Sequence, residues 1–200
     1  MSSEAANARA HDQSATPQVV VADPCAAAHP RLVAAAARAG AYGLLDASDA
    51  TQHAQAVADL RRRRVEEYWL RPGTGLAPVS APGGDAPRVS TVVLAGQRVA
   101  EIDAWRAVAP TIVAQVTSVE AAREAVAAGA DGLLVSGREA GGAVGPTEAS
   151  ILLQQTVTLG VPVWVRGGIG PHTAAAAVAG GAAGGGGDIP TGLMRESAGS

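Results

Sequence analysis

The sequence predicts an α/β fold, a small (β/α)8 TIM-barrel-like domain with a weak eighth strand. An Ala-rich helix, an Ala/Gly stop and a strand follow one another three times, at 31–47, 120–137 and 173–188. Short branched apolar runs such as Val161 to Val165 alternate with the helical segments, as strands buried on both faces of a parallel sheet do. Repeated units of this kind imply parallel strands joined by right-handed crossovers, and eight of them form a barrel.

The elements follow the same alternation along the chain. The predicted strands are 19–23, 42–46, 67–71, 89–95, 111–116, 133–136, 161–165 and 184–188. The predicted helices begin at Pro30, run over 51–64, 102–108 and 149–159, follow a capping box at 117–120, and occupy 173–180, where Thr173 is the expected cap. Residues 73–87 are rich in Pro and Gly, so the crossover there has a short helix or none.

The eighth strand is the weakest element of the prediction. Gly184 to Gly187 stand where the other units have branched residues, and each glycine costs about 0.5–1 kcal/mol relative to Ala. An open, doubly wound sheet with an incomplete ring is therefore the alternative fold.

Bulk properties limit the classes of function. We expect one domain at 18–195, between a disordered tail at 1–17 and a short tail at 196–200. The formal charge of −3 predicts no nucleic-acid partner, and no apolar run approaches the ~20 residues of a membrane span. A single cysteine, Cys25, fits a reducing cytoplasm.

A glycine-rich turn follows the seventh strand and predicts an anion site. Gly167, Gly168 and Gly170 lie between this strand and an Ala-rich helix, where N–H groups and the helix dipole favour a phosphate. An ordinary tight βα turn is the equal alternative. The carboxyl ends of the strands would also gather Asp23, Cys25, Asp46, Gln115, the 137–145 loop and Asp188.

Two stretches are similar to a known family. QVTSVEAAREAVAAGADGLLVSGREAGGAVG at 115–145, followed by VPVWVRGGIG at 161–170, resembles the FMN-dependent nitronate monooxygenases, or 2-nitropropane dioxygenases, a family that includes flavin enoyl reductases. The resemblance covers most of 19–188. The Val-Arg-Gly-Gly-Ile-Gly variant is most similar to members attached to actinobacterial polyketide synthases.

The resemblance implies FMN as the cofactor and assigns the residues that hold it. Backbone amides of the seventh and eighth loops would hold the phosphate, the sixth loop would lie near the flavin ring, and the first strand would end behind it. Arg166 stands where many members have a small residue; its guanidinium would add a charged contact to the phosphate, or would form an ion pair with Glu139 or Asp188. The implied cofactor-binding residues are Ala22, Asp23, Pro24, Gln115, Gly141, Gly142, Arg166, Gly167, Gly168, Gly187 and Asp188.

The sequence departs from the family at the catalytic base. Nitronate-oxidising members carry His directly after Glu-Ala-Gly-Gly, whereas this chain has Ala143, whose methyl group cannot accept a proton. His172 is expected at a helix end on the surface, and Glu139 as a loop anchor. The catalytic residues therefore stay unassigned, and no metal site is predicted.

Three functions remain open. The first is an FMN-binding oxidoreductase domain that acts on a small-molecule substrate with altered or lost chemistry. The second is a non-catalytic structural or docking module with polyketide synthase components as partners. The third is a flavin-free barrel that binds a sugar phosphate in the same cradle.

Overall fold

Eight parallel strands form a closed ring in the order of the chain, β1 to β8. The structure is a computed structural model that describes residues 17–23, 26–78 and 84–187. Each strand pairs in parallel with the next one, and β8 pairs with both β7 and β1. The predicted (β/α)8 barrel is thus confirmed.

The observed elements agree closely with the predicted ones. The strands are β1 Gln18–Ala22, β2 Tyr42–Asp49, β3 Glu67–Gly75, β4 Arg88–Ala95, β5 Thr111–Val116, β6 Gly132–Ser136, β7 Val163–Arg166 and β8 Gly184–Gly187. The helices are α1 Pro30–Arg38, α2 Ala50–Arg62, α3 Ile102–Trp105, α4 Val119–Ala127, α5 Ala149–Thr156 and α6 Pro171–Ala179, and 3-10 turns occupy Gly96–Glu101 and Val157–Leu159. Between β3 and β4, the described residues contain no helix, as the Pro/Gly content predicts.

The eighth strand closes the barrel, so the alternative of an open sheet with an incomplete ring is wrong. In register, Gly184 lies opposite Gln18 of β1 and opposite Trp164 of β7. Pairing of parallel strands uses backbone N–H and C=O groups, which glycine has in full. A Cβ at Gly184 would overlap the backbone carbonyl of Gln18, so the close approach of β1 requires glycine there.

Two apolar clusters lie on the two faces of the barrel wall. The larger, outer cluster packs helices against strands and includes Trp105, which is fully buried. An inner cluster fills the ring and consists of Val20, Ala22, Leu44, Trp69, Val93, Val113, Leu134 and Trp164. Within it, the Trp69 and Trp164 rings meet edge to face with centroids 5.4 Å apart.

Two predicted helix caps are shifted. Ser118, rather than Thr117, caps α4, because its extended backbone lets Oγ accept from the N–H of Ala121 at 3.1 Å. Helix α6 begins at Pro171, two residues before Thr173, since proline is preset for the first helical position. The Thr173 hydroxyl instead accepts from the N–H of Gly170 at 2.7 Å and donates to the carbonyl of Gly168 at 2.9 Å.

Two glycines of β8, Gly184 and Gly186, differ in whether the structure has room for a methyl group. At Gly186 a Cβ would lie 3.6 Å from Arg166 Cβ, an ordinary contact. We predict that Gly186→Ala stabilises the chain by about 0.5–1 kcal/mol because it removes chain entropy from the unfolded state. Gly184→Ala, the matched control, should lower the melting temperature, since its methyl overlaps the Gln18 backbone.

Thermal unfolding of the two variants tests this arrangement, at about 2–4 °C per kcal/mol for a chain of this size. Equal changes in melting temperature for Gly184→Ala and Gly186→Ala would contradict the observed pairing of β8 with β1.

Candidate functional site

Polar side chains collect inside the ring where the strands end. Asp46 of β2, Gln115 of β5, Ser136 of β6 and Arg166 of β7 are buried at this end, and Asp23 directly follows β1. The carboxyl ends of all eight strands meet at one face of such a barrel, which is where barrel enzymes bind their ligands. The predicted gathering of Asp23, Asp46, Gln115 and Arg166 at this face is observed.

An ion pair joins two neighbouring strands at this mouth. Asp46 of β2 and Arg71 of β3 are register partners. Arg71 Nε donates to Asp46 Oδ1 at 2.5 Å and Nη2 donates to Oδ2 at 3.0 Å, while both side chains are largely buried. This two-bond geometry fixes the guanidinium plane and leaves one edge of Arg71 toward the centre of the ring.

Gln115 extends the ion pair across the mouth. Its Oε1 accepts from Arg71 Nη1 at 3.1 Å, and its Nε2 donates to Ser136 Oγ at 3.2 Å. Because a guanidinium only donates, the amide oxygen must face Arg71, which fixes the orientation of the amide. The second Nε2 hydrogen is then a donor for a ligand in the mouth.

Electrostatic effects on Asp46 oppose one another. Burial raises the pKa of its carboxyl above the ordinary value, the attraction of Arg71 and Arg166 lowers it, and Asp23 adds a smaller raising effect. The net shift is upward. The carboxylate therefore depends on its guanidinium partner to remain charged inside the ring.

A cavity of about 480 Å³ opens beside this network. Its polar wall holds two guanidiniums, Arg71 and Arg166, the amides of Gln97 and Gln115, and the Glu124 carboxylate. Small residues form much of the rest, from the end of β4 and from the sixth loop: Ala95, Gly96, Gly142, Ala143 and Val144. Because Asp46 balances the charge of Arg71, Arg166 is the group that favours an anion in this cavity.

The glycines after β7 pack against the sixth loop. Gly167 and Gly168 have φ of 114° and 61°, a region that favours glycine. A Cβ at Gly167 would lie 2.9 Å from Ala140 N, and one at Gly168 would lie 3.2 Å from Glu139 Cγ. Glu139 Oε1 accepts from the N–H of Ala149 at 3.0 Å, so Glu139 anchors the start of α5, as expected.

The predicted cofactor residues divide into three groups. Gln115, Gly142 and Arg166 line the cavity. The others that the structure describes lie nearby at the ends of β1 and β8 or in the sixth and seventh loops: Ala22, Asp23, Gly141, Gly167, Gly168 and Gly187. Pro24 and Asp188, like Cys25, lie outside the described residues.

Four residues near the cavity need separate description: Asp23, His172, Arg71 and Ser136. Asp23 Oδ1 accepts from the N–H of Ala27 at 3.2 Å, so this carboxylate orders its own loop. His172 is exposed in the first turn of α6, as predicted. Arg71 and Ser136 were not predicted as site residues. The signal for Arg71 was the alternation Glu67, Trp69, Arg71 along β3, which places all three on one face.

Comparisons with known proteins give the fold. No protein-family model matches the chain. FabK from Thermotoga maritima superposes with a TM-score of 0.76 at 22% identity, over 95% of this chain and 64% of that chain. A nitroalkane oxidase from Streptomyces ansochromogenes gives 0.69 at 22% identity, over 88% of this chain and 66% of that chain. The chain is a TIM barrel.

One curated protein is similar in sequence. The (3aS,4S,5R,7aS)-5-hydroxy-7a-methyl-1-oxo-octahydro-1H-indene-4-carboxyl-CoA dehydrogenase of Mycobacterium tuberculosis is 31% identical over 151 residues, which is 69% of this chain and 41% of that protein. This barrel thus spans less than half of the dehydrogenase. Within the described ranges, no helix combines the length and apolarity that a membrane crossing requires.

The Asp46–Arg71 pair gives a prediction about stability. Arg71→Met should destabilise the barrel by about 3–5 kcal/mol, because it leaves the buried Asp46 carboxylate without its guanidinium. Replacing both residues, Asp46→Leu with Arg71→Met, should recover most of that loss. Urea unfolding measures the three free energies of unfolding.

The control is the exposed Arg88–Glu67 pair, for which Arg88→Met should cost about 0–1 kcal/mol. A loss for Arg71→Met no larger than that for Arg88→Met would show that the ion pair at the mouth is not desolvated.

Proposed function

We propose that the carboxyl-end cavity binds FMN and that the chain is the flavin-binding part of an oxidoreductase. The observation that carries the proposal is the placement of Arg166, Gln115 and Gly142, three residues predicted from the sequence to contact FMN, in the wall of one cavity. The nitroalkane oxidase, which shares the fold, adds support through the activity that its name carries.

The cavity fits such a ligand in size and charge. Ligand pockets usually enclose about 300–1,000 Å³, and this one encloses about 480 Å³. Arg166 is 2% exposed and borders the cavity, so its guanidinium meets a phosphate with little competition from water. The small side chains of Ala95, Gly96 and Gly142 leave room for a planar ring.

The phosphate position that we propose is shifted toward Arg166. Gly167 and Gly168 do not line the cavity, and the Glu139 side chain packs against them. A carboxylate beside the predicted amide cradle would repel a phosphate. We therefore assign the main phosphate contact to Arg166. The glycines of the seventh and eighth loops would lie near the phosphate without binding it directly.

The residues of the chain have separate roles in this proposal. Bound FMN would supply the two-electron redox chemistry. Arg166 would hold the anion, and Gln115, which Arg71 and Ser136 hold in place, would offer an N–H to the cofactor. Ala143 also lines the cavity, and its methyl group offers no base at the position where nitronate-oxidising members have His.

The substrate and the partner of the chain are also proposals. We propose a small-molecule substrate, and the Val-Arg-Gly-Gly-Ile-Gly motif of β7 and its loop supports an association with a polyketide synthase. The carboxyl-CoA named for the mycobacterial dehydrogenase supports a thioester as the substrate class. Because the chain spans 41% of that protein, the proposal for this barrel centres on cofactor binding.

Titration with FMN and with riboflavin tests the assignment of the phosphate. FMN should bind more tightly than riboflavin, and Arg166→Met should abolish the difference by weakening FMN at least about tenfold. Arg138→Met is the control, since Arg138 is exposed in the sixth loop and pairs with Glu148. Flavin absorbance and fluorescence report binding, and circular dichroism verifies the fold of each variant.

Colourless protein that does not bind added FMN would contradict the proposal. Heat stabilisation by phosphosugars without any response to FMN would instead support a flavin-free phosphate barrel, which the two guanidiniums of the cavity wall also suit.

Restoring the missing base gives a second test. In FMN-loaded protein, Ala143→His should raise nitronate oxidation by about 10²–10⁴-fold, because a positioned base contributes that much. Val144→His is the matched control, since it places an imidazole one residue further along the same wall. No gain in an Ala143→His variant that holds FMN would contradict the role assigned to this position.

A further inference from the structure

A second, larger cavity lies at the opposite end of the barrel. It encloses about 710 Å³ and is lined by residues at or near the starts of strands, including Gln18 of β1, Tyr42 of β2 and Thr111 of β5. It shares no lining residue with the carboxyl-end cavity. The two cavities are therefore separate sites.

The cavity exists because the amino-end layer of the barrel has little bulk. Barrel interiors are usually filled by layers of branched side chains. Here β4 and β5 contribute Thr91 and Thr111, and β6 and β8 begin with glycine. A Cβ at Gly132 would lie 2.7 Å from the Trp164 ring, so the missing side chain lets the indole lie across that strand.

Aromatic rings form one wall of the cavity. The chain has only two tyrosines and three tryptophans, and three of these five residues, Tyr42, Trp69 and Trp164, line this mouth. The Tyr42 and Trp69 centroids are 5.5 Å apart, and the Trp69 and Trp164 centroids are 5.4 Å apart. Adjacent tilted rings of this kind present faces and edges to another ring.

The remaining wall mixes proline and alanine with hydroxyl groups and carries little net charge. Glu67 is the carboxylate of the lining, and Arg88 Nη2 neutralises it at 2.8 Å. Among the described residues, no arginine lines this cavity, in contrast to the carboxyl-end mouth. Trp164 is 6% exposed, so its indole forms the deeply buried part of the aromatic wall.

We propose that the amino-end mouth binds an uncharged, planar aromatic molecule that carries a hydrogen-bond acceptor. The rings of Tyr42, Trp69 and Trp164 contact its face and edge, and a threonine hydroxyl at the rim donates to its acceptor. This site is independent of flavin binding at the other end.

Coumarin, a neutral bicyclic compound with a carbonyl acceptor, is the probe that tests this site. In protein labelled with nitrogen-15 at tryptophan, coumarin should shift the indole signals of Trp69 and Trp164 and leave that of Trp105 unchanged, since Trp105 belongs to the outer cluster. Trp105→Phe assigns the third signal. Naphthalene, which lacks an acceptor, and coumarin-3-carboxylate, which is charged, should both bind more weakly.

A second experiment fills the amino-end cavity with larger side chains. Ala183→Leu and Thr111→Leu each add bulk to its wall and should weaken coumarin at least about tenfold, whereas Ala95→Leu, at the other mouth, should not. Two results would overturn the site: no shift of Trp69 or Trp164 at saturating coumarin, or unchanged affinity in a filled variant whose circular dichroism is native. Equal binding of naphthalene would overturn the role of the threonine hydroxyl.

Discussion

The barrel depends on hydrogen bonds between the backbones of β8 and its two neighbours. Gly184 to Gly187 supply no side chains, so the last strand contributes pairing and almost no packing. Its first glycine is required by the approach of the Gln18 backbone. Closure of the ring brings the ends of all eight strands together, and both mouths described above exist only because of it.

The two mouths differ in the chemistry that the strands bring to them. At the carboxyl end, Asp46, Arg71 and Gln115 form a chain of hydrogen bonds that reaches Ser136, and Arg166 adds a second buried guanidinium. This arrangement holds positive charge around a fixed amide. At the amino end, indole and phenol rings meet threonine and glycine. An anionic ligand therefore suits one end and a neutral aromatic ligand suits the other.

The order of elements could be predicted because the local signals are strong and consistent. Strand β5 begins and ends where the sequence indicates, at Thr111 and Val116, and Pro30 opens α1 as expected. The closure by β8 was the weakest part of the prediction, because the cost of glycine is visible in the sequence while backbone pairing and the approach of Gln18 are tertiary effects.

The site was predictable only in part for a related reason. Gln115, Gly142 and Arg166 were found through a motif resemblance, and all three line the cavity. Arg71 was missed because an arginine at the end of a strand resembles a solvated residue until its register with Asp46 is known. The packing of Glu139 against Gly167 and Gly168 arises from contact between two loops and has no local signal.

Phosphorus-31 NMR of FMN in the presence of the protein tests the central claim most directly. If Arg166 holds the phosphate in the carboxyl-end cavity, the signal of FMN should shift on binding, and Arg166→Lys should move the bound signal because it replaces a planar guanidinium with a point charge. A signal that stays at the position of free FMN with the protein in excess would contradict the account.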